Sequence, residues 1–173
     1  MSMEKYNKIH FIGIGGISMS SLAEILKSKG KTITGSDGVA SNVTKALENI
    51  GIQVSIGQKA ENITPDTDLI VYTAAVREDN PELMAARASG IETVDRAALV
   101  GMMMLEYKFP LSVAGTHGKT TTSSLVTEIF LEAKANPTVS IGGILPSIKG
   151  NYKVGGEDYF ILETCEYCDS FLK

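Results

Sequence analysis

The chain of 173 residues carries 16 Lys and Arg against 20 Asp and Glu, a formal net charge of −4, with 43% hydrophobic and 21% charged residues. That balance belongs to a folded globular protein with room for one sizeable domain or two small ones, and it excludes wholesale disorder. No basic stripe marks a nucleic-acid binder, no apolar run reaches the roughly 18 residues of a membrane span, and the polar start MSMEKYNK is no signal peptide, so a cytoplasmic protein without nucleic-acid or membrane partners is expected.

The first apolar run, KIHFIGIGG at residues 8–16, breaks into glycines. Met19, Leu22, Ala23 and Leu26 then recur at helical spacing, and Gly30 sits where a C-terminal glycine cap belongs. Strand, glycine turn and helix are predicted in that order. A second strand is predicted over 32–35, ending in Ser36 and Asp37, and a second helix with Val43, Ala46, Leu47 and Ile50 on its apolar face. Strands follow at 52–56 and at 68–75, the latter a continuous apolar run of the kind that parallel sheets bury. Asn80-Pro81 joins a helix cap to a proline at the first helical position. That helix ends at Gly90, a strand spans 91–94, and Asp95 caps a further helix through Leu105 in which Met102, Met103 and Met104 read as core. Strands alternating with helices of this length predict a doubly wound α/β layer with a parallel sheet.

At Lys108-Phe109-Pro110 the pattern restarts. A strand at 111–114, a second glycine turn at 115–119 and a helix at 120–132 are predicted, the helix burying Leu125, Val126, Ile129 and Phe130. Strands at 138–141 and 159–163 complete the reading. Two domains are expected, 1–108 and 109–173, the second with too few elements to close its own sheet and so read as the beginning of a longer domain. An exposed sheet edge there leaves a homodimer open.

Each glycine turn suits a phosphate. In Gly13-Ile14-Gly15-Gly16-Ile17-Ser18, backbone N–H groups and a helix N-terminus face an anion, and a Cβ would block its approach. The dinucleotide fingerprint would place its third glycine at position 18, which is serine, while Asp37 stands where a ribose-binding acid belongs. A tight turn without a ligand is the plain alternative, with Asp37 then an ordinary turn residue. The second turn, Gly115-Thr116-His117-Gly118-Lys119-Thr120, is a shortened phosphate loop, with Val113 where the standard loop has glycine. Gly118 exposes amides, Lys119 brings a mobile cation and Thr120 offers a hydroxyl to Mg²⁺.

The segments HFIGIGGISMSSLAEIL, GSD, VYTAAVREDNPE and AGTHGKTTTSSLV, read together, resemble the Mur ligase family over residues 9–172. The resemblance implies an α/β architecture: a Rossmann-like, parallel-sheet, UDP-sugar-binding domain, then the opening of a P-loop-type ATPase domain. It implies an ATP-dependent ligase of peptidoglycan precursor synthesis that joins L-alanine to UDP-N-acetylmuramate through an acyl phosphate, with ATP and Mg²⁺ as cofactors. UDP-sugar contacts carry over onto Gly15, Gly16, Ile17 and Ser18, with Ser36 and Asp37 near the uridine end and Thr73 and Ala75 after the fourth strand; Ala74 stands where relatives often have serine. ATP contacts carry over onto Gly115, Thr116, His117, Gly118, Lys119, Thr120 and Thr121, with Lys119 the catalytic cation. The acidic motif ETCEYCDSF at 163–171 implies Glu166 as the magnesium ligand opposite Thr120, with Glu163 in reserve; a surface acid at a strand end is the alternative for Glu166. Relatives bring the amino acid with a C-terminal domain for which these residues leave no room, so the chain by itself is expected to bind ligands without making product.

Other readings remain beside that one. An NAD-dependent oxidoreductase would use the first turn and Asp37 but not the second loop. A P-loop ATPase or kinase would leave the first turn unexplained. A non-catalytic nucleotide-binding module and a sibling ligase that recycles cell-wall peptides complete the set. Cys165 and Cys168 have a C-x-x-C spacing compatible with redox chemistry or half a zinc site. His10 and His117 are the only histidines, so packing is the simpler reading of the cysteines. His10 reads as structural, and His117 as a ligand contact or a loop-shaping residue.

Overall fold

The computed structural model describes residues 3–164. It divides into two compact units, residues 4–99 and residues 100–164 with Met3. In the first unit the elements run β1 (Lys8–Ile12), α1 (Ile17–Ser28), β2 (Thr32–Asp37), α2 (Asn42–Asn49), β3 (Gln53–Ile56), β4 (Leu69–Tyr72), α3 (Pro81–Ala88) and β5 (Glu92–Asp95). A further helix, α4 (Arg96–Met104), contributes its first residues to this unit and its last to the other. All five strands are parallel, in the order β3-β2-β1-β4-β5. After β3 the chain crosses to the far side of β1, so strand order reverses between β1 and β4. Open α/β sheets bind ligands at the carboxyl ends of such a pair.

The central strand is buried, with Ile9, Phe11 and Ile12 fully covered. Helix α1 lays Met19, Leu22, Ala23 and Leu26 on the sheet at the predicted spacing. Helix α2 departs from its prediction: Leu47 is buried, but Thr44 takes the place beside it and Ile50 is half exposed. Ser41 and Thr44 form a reciprocal capping box, which places Thr44 on the inner face, and Ile50 already lies past the last turn as the cap residue.

The second unit contains β6 (Phe109–Val113), α5 (Lys119–Glu132), β7 (Thr138–Leu145), β8 (Gly150–Lys153) and β9 (Tyr159–Glu163). Its sheet has the order β6-β9-β7-β8, with β6, β9 and β7 parallel and β8 antiparallel to β7. Among the described residues the sheet holds one strand more than the three predicted. Strand β7 runs on to Leu145, and β8, whose GNYK carries no apolar alternation, pairs back onto it. The buried face predicted for α5 is corrected as well: Leu125 and Ile129 are 60% and 66% exposed, while Ser123 and Thr127 are fully buried. The helix packs by Val126 and Phe130 against Val139, Ile141 and Ile161. Ser123 and Thr127 tolerate burial because their hydroxyls donate to the carbonyls of Thr120 and Ser123. No helix among the described residues is long and apolar enough to cross a membrane.

Candidate nucleotide-binding sites

At the switch point of the first sheet lies a cavity of ≈ 540 Å³. Gly13 and Gly16 of the glycine turn, Asp37 at the end of β2, Thr73 and Ala75 after β4, and Asn80 at the cap of α3 line it. Gly13 adopts φ +84°, and a Cβ there would stand 2.5 Å from the Thr73 methyl group. The turn is held from β2. The Ser36 carbonyl accepts from the Gly13 and Ile14 N–H groups at 2.8 and 3.0 Å, and Asp37 Oδ2 accepts from the Gly15 N–H at 2.9 Å. Asp37 therefore lines the cavity and braces the turn at once. The side chain of Ser36 takes no part in the lining: it is fully buried and donates to Glu82 Oε2 at 2.7 Å. Ile17, the first residue of α1, is 58% exposed beside Gly16. Ser18 is half-buried and accepts a 3.1 Å hydrogen bond from Arg96 Nη1.

Beneath the turn lies a buried polar cluster. Glu82 Oε1 meets His10 Nε2 at 2.7 Å, and His10 Nδ1 meets Thr34 Oγ1 at 2.8 Å. Glu82 is wholly inaccessible and His10 nearly so. His10 is thus structural, as its place on a strand suggests.

In the second unit Gly118 is left-handed at φ +74° and precedes the first residue of α5. Lys119 Nζ donates to the Gly115 carbonyl at 2.6 Å, closing the loop on itself. Thr120 Oγ1 donates to Glu163 Oε1 at 3.0 Å, and the Gly142 N–H donates to Glu163 Oε2 at 2.9 Å. A Cβ on Gly142 would stand 2.9 Å from that carboxylate oxygen, and one on Gly143 the same distance from the Thr120 methyl group. The glycine pair of β7 thereby keeps space around a hydroxyl and a carboxylate. Such hard oxygen donors suit Mg²⁺ rather than zinc. Thr116, His117 and Thr121 are exposed along the loop, with His117 Nδ1 3.2 Å from Thr116 Oγ1. Among the described residues the acid beside Thr120 is Glu163; Glu166, Cys165 and Cys168 lie outside them.

Residues 8–108 match the family described as Mur ligase family, catalytic domain. The chain belongs to the Mur ligase family. Among curated Mur ligases, the UDP-N-acetylmuramate–L-alanine ligase of Agathobacter rectalis is 58% identical over 164 residues, which cover 95% of this chain and 36% of that protein. Two solved structures are similar throughout. UDP-N-acetylmuramate-alanine ligase MurC of Thermotoga maritima superposes with a TM-score of 0.83 at 37% identity, over 92% of this chain and 37% of that one. UDP-N-acetylmuramate:L-alanyl-gamma-D-glutamyl-meso-diaminopimelate ligase of Neisseria meningitides gives 0.82 at 27% identity, over 94% and 55%. The chain spans a little over a third of the length of the curated relatives it matches.

Within this Mur ligase, sequence reasoning found both turns but missed Glu82, Arg96, Gly142 and Gly143. The first two sit in ordinary-looking helix starts. Adjacent glycines inside a predicted strand, by contrast, are a recognisable sign of close backbone approach.

Proposed function

We propose that this chain carries the UDP-sugar-binding part and the opening of the ATP-binding part of a cytoplasmic, ATP- and Mg²⁺-dependent ligase that joins L-alanine to UDP-N-acetylmuramate, with functional halves at 1–108 and 109–173. The observation that carries the reading is the pair of glycine turns, one per unit, each between a strand and the N-terminus of a helix. The higher identity to alanine ligases than to the diaminopimelate-peptide ligase favours the amino acid over a peptide.

The substrate carboxylate is a poor electrophile, so its oxygen would take the γ-phosphoryl group of ATP, with the β–γ bond breaking and ADP leaving; the alanine amine would then attack the acyl-phosphate carbonyl carbon, losing a proton as inorganic phosphate leaves. In this reading residues 13–18 hold the diphosphate, and Asp37, Thr73 and Ala75 shape the cavity for the nucleoside. Residues 115–121 wrap the ATP phosphates. Lys119 exchanges the Gly115 carbonyl for the transferred phosphoryl group and stabilises its developing charge. Thr120 and Glu163 would hold Mg²⁺, which supplies positive charge against the phosphate oxygens.

A thermal melt tests the reading. A ligand at ~100 times its dissociation constant adds about 2.7 kcal/mol, a shift of several degrees for a chain of this size. UDP-N-acetylmuramate should raise the melting temperature and NAD⁺ should not. Stabilisation by NAD⁺ alone would replace this reading with an oxidoreductase.

A further inference from the structure

One carboxylate of the first unit has no part in the chemistry proposed above. Glu82 is wholly inaccessible, so no ligand in the cavity touches it. An acid in the first turn of a helix is favoured by the dipole while it stays in water. Glu82 instead turns inward from α3, toward His10 on β1 and Ser36 on β2. A buried ion pair adds little stability over apolar packing of similar volume, because desolvation offsets the attraction. What a fully satisfied buried network adds is rigidity, with each oxygen held in a set direction.

Those directions lead to both walls of the cavity. Glu82 Oε2 accepts from Ser36 Oγ at 2.7 Å, and the carbonyl of the same serine accepts from the Gly13 and Ile14 N–H groups of the turn. On the other side, the Glu82 N–H donates to Asn80 Oδ1 at 3.0 Å, and Asn80 Nδ2 donates to Gln58 Oε1 at 2.7 Å. Asn80 and Gln58 both line the cavity, as does Gly13. The turn follows β1 and α3 follows β4, the two strands between which the order reverses. Glu82 is thus a side-chain link between the segments that leave the switch point on either side.

We infer that Glu82 is a positioning residue of the UDP-sugar cavity: through Ser36 its buried carboxylate sets the glycine turn and holds it in register with the α3 wall. The inference rests on the UDP-sugar reading of the cavity. It also gives the Ser36 side chain a role from beneath the turn, where no ligand reaches it. Thr34 belongs to the same cluster but to its other end, since its Oγ1 meets His10 Nδ1 and leads no further toward the turn.

Ser36→Ala and Thr34→Val each delete one hydroxyl from the cluster, so a role in stability alone moves them together. Calorimetric titration with UDP and UDP-N-acetylmuramate, well below the melting temperature of each variant, separates the two roles. Residues that act on a site without touching its ligand change affinity by about tenfold. Ser36→Ala and Glu82→Leu should each weaken both ligands by that factor, and their combination no further. Glu82→Gln, which keeps a partner for each oxygen position, should recover most of the loss, and Thr34→Val should bind as the wild type does. Wild-type affinity in Ser36→Ala, or an equal loss in Thr34→Val, overturns the inference while the cavity reading stands. If Glu82→Leu does not fold, hydrogen exchange at the Gly13 and Ile14 amides decides: faster exchange in Ser36→Ala than in Thr34→Val supports the link, and exchange no faster overturns it. A wild-type chain that binds neither UDP nor the UDP-sugar removes the cavity reading, and this inference with it.

Discussion

Gly13 holds the first turn in a left-handed conformation with the Thr73 methyl group against the place a side chain would occupy. Gly13→Ala therefore meets backbone strain and a clash together. It should cost about 1–3 kcal/mol in urea denaturation and abolish stabilisation by the UDP-sugar. Glu82 makes a different case. It is fully buried, with both carboxylate oxygens engaged by His10 and Ser36. Removing it strands two buried polar groups, so Glu82→Ala should lose about 3 kcal/mol, measured the same way, and Glu82→Gln, which keeps a partner for each, clearly less. The two residues also differ in how far sequence reveals them. A glycine at a strand-to-helix turn announces its purpose. An acid in the first turn of a helix normally faces water and favours the dipole, and nothing local says that Glu82 points inward to a histidine 72 residues away.

Among elements, α5 shows the limit of periodicity. Leu125, Val126, Ile129 and Phe130 form a continuous apolar stripe, but a stripe does not say which of its edges meets the sheet. In the structure the contact runs through Val126 and Phe130, with Ser123 and Thr127 beside them. Accordingly Leu125→Gln and Ile129→Gln should change stability by less than about 0.5 kcal/mol, whereas Phe130→Ala should cost about 3 kcal/mol. Equal losses in the two sets would contradict the face assigned here. The parallel strands β1 and β4 were legible because their apolar runs end in turns; β8 was not, because its pairing with β7 comes from chain reversal rather than from its own composition.

At the scale of the whole molecule, the acid side of the stability profile belongs to the first unit. Lys8 and Asn7 backbone N–H groups hold the Asp68 carboxyl below its ordinary value, a Lys8 hydrogen bond does so for Asp66, Arg87 for Glu78, and Tyr6 followed by Lys5 for Glu92. A carboxyl lowered in the folded state contributes stability that is present above its unfolded pKa, about 4, and lost as pH falls through the folded value. The urea midpoint should thus stay level from pH 7 to about 5 and decline below 4, and Asp68→Asn should flatten that decline. Lys5, raised by hydrogen bonds to Tyr6 and Glu92, acts oppositely: its contribution holds below about pH 10 and fades above it.

The place of β9 has a consequence for the order in which this protein is made. Among the described strands of the second sheet it comes last in sequence, yet it lies between β6 and β7 and is the partner through which β6 joins them. It also brings Glu163 to Thr120. While the ribosome adds residues 121–158, the lysine and threonine of the second loop already exist, but among the described residues the strand leading into them still lacks its partner. The first sheet needs no such wait, since β1 gains β2 as soon as residue 37 has emerged. Completion of the surroundings of the second loop is therefore a late event in biosynthesis, set by the arrival of β9, whose Glu163 lies 43 residues downstream of Thr120.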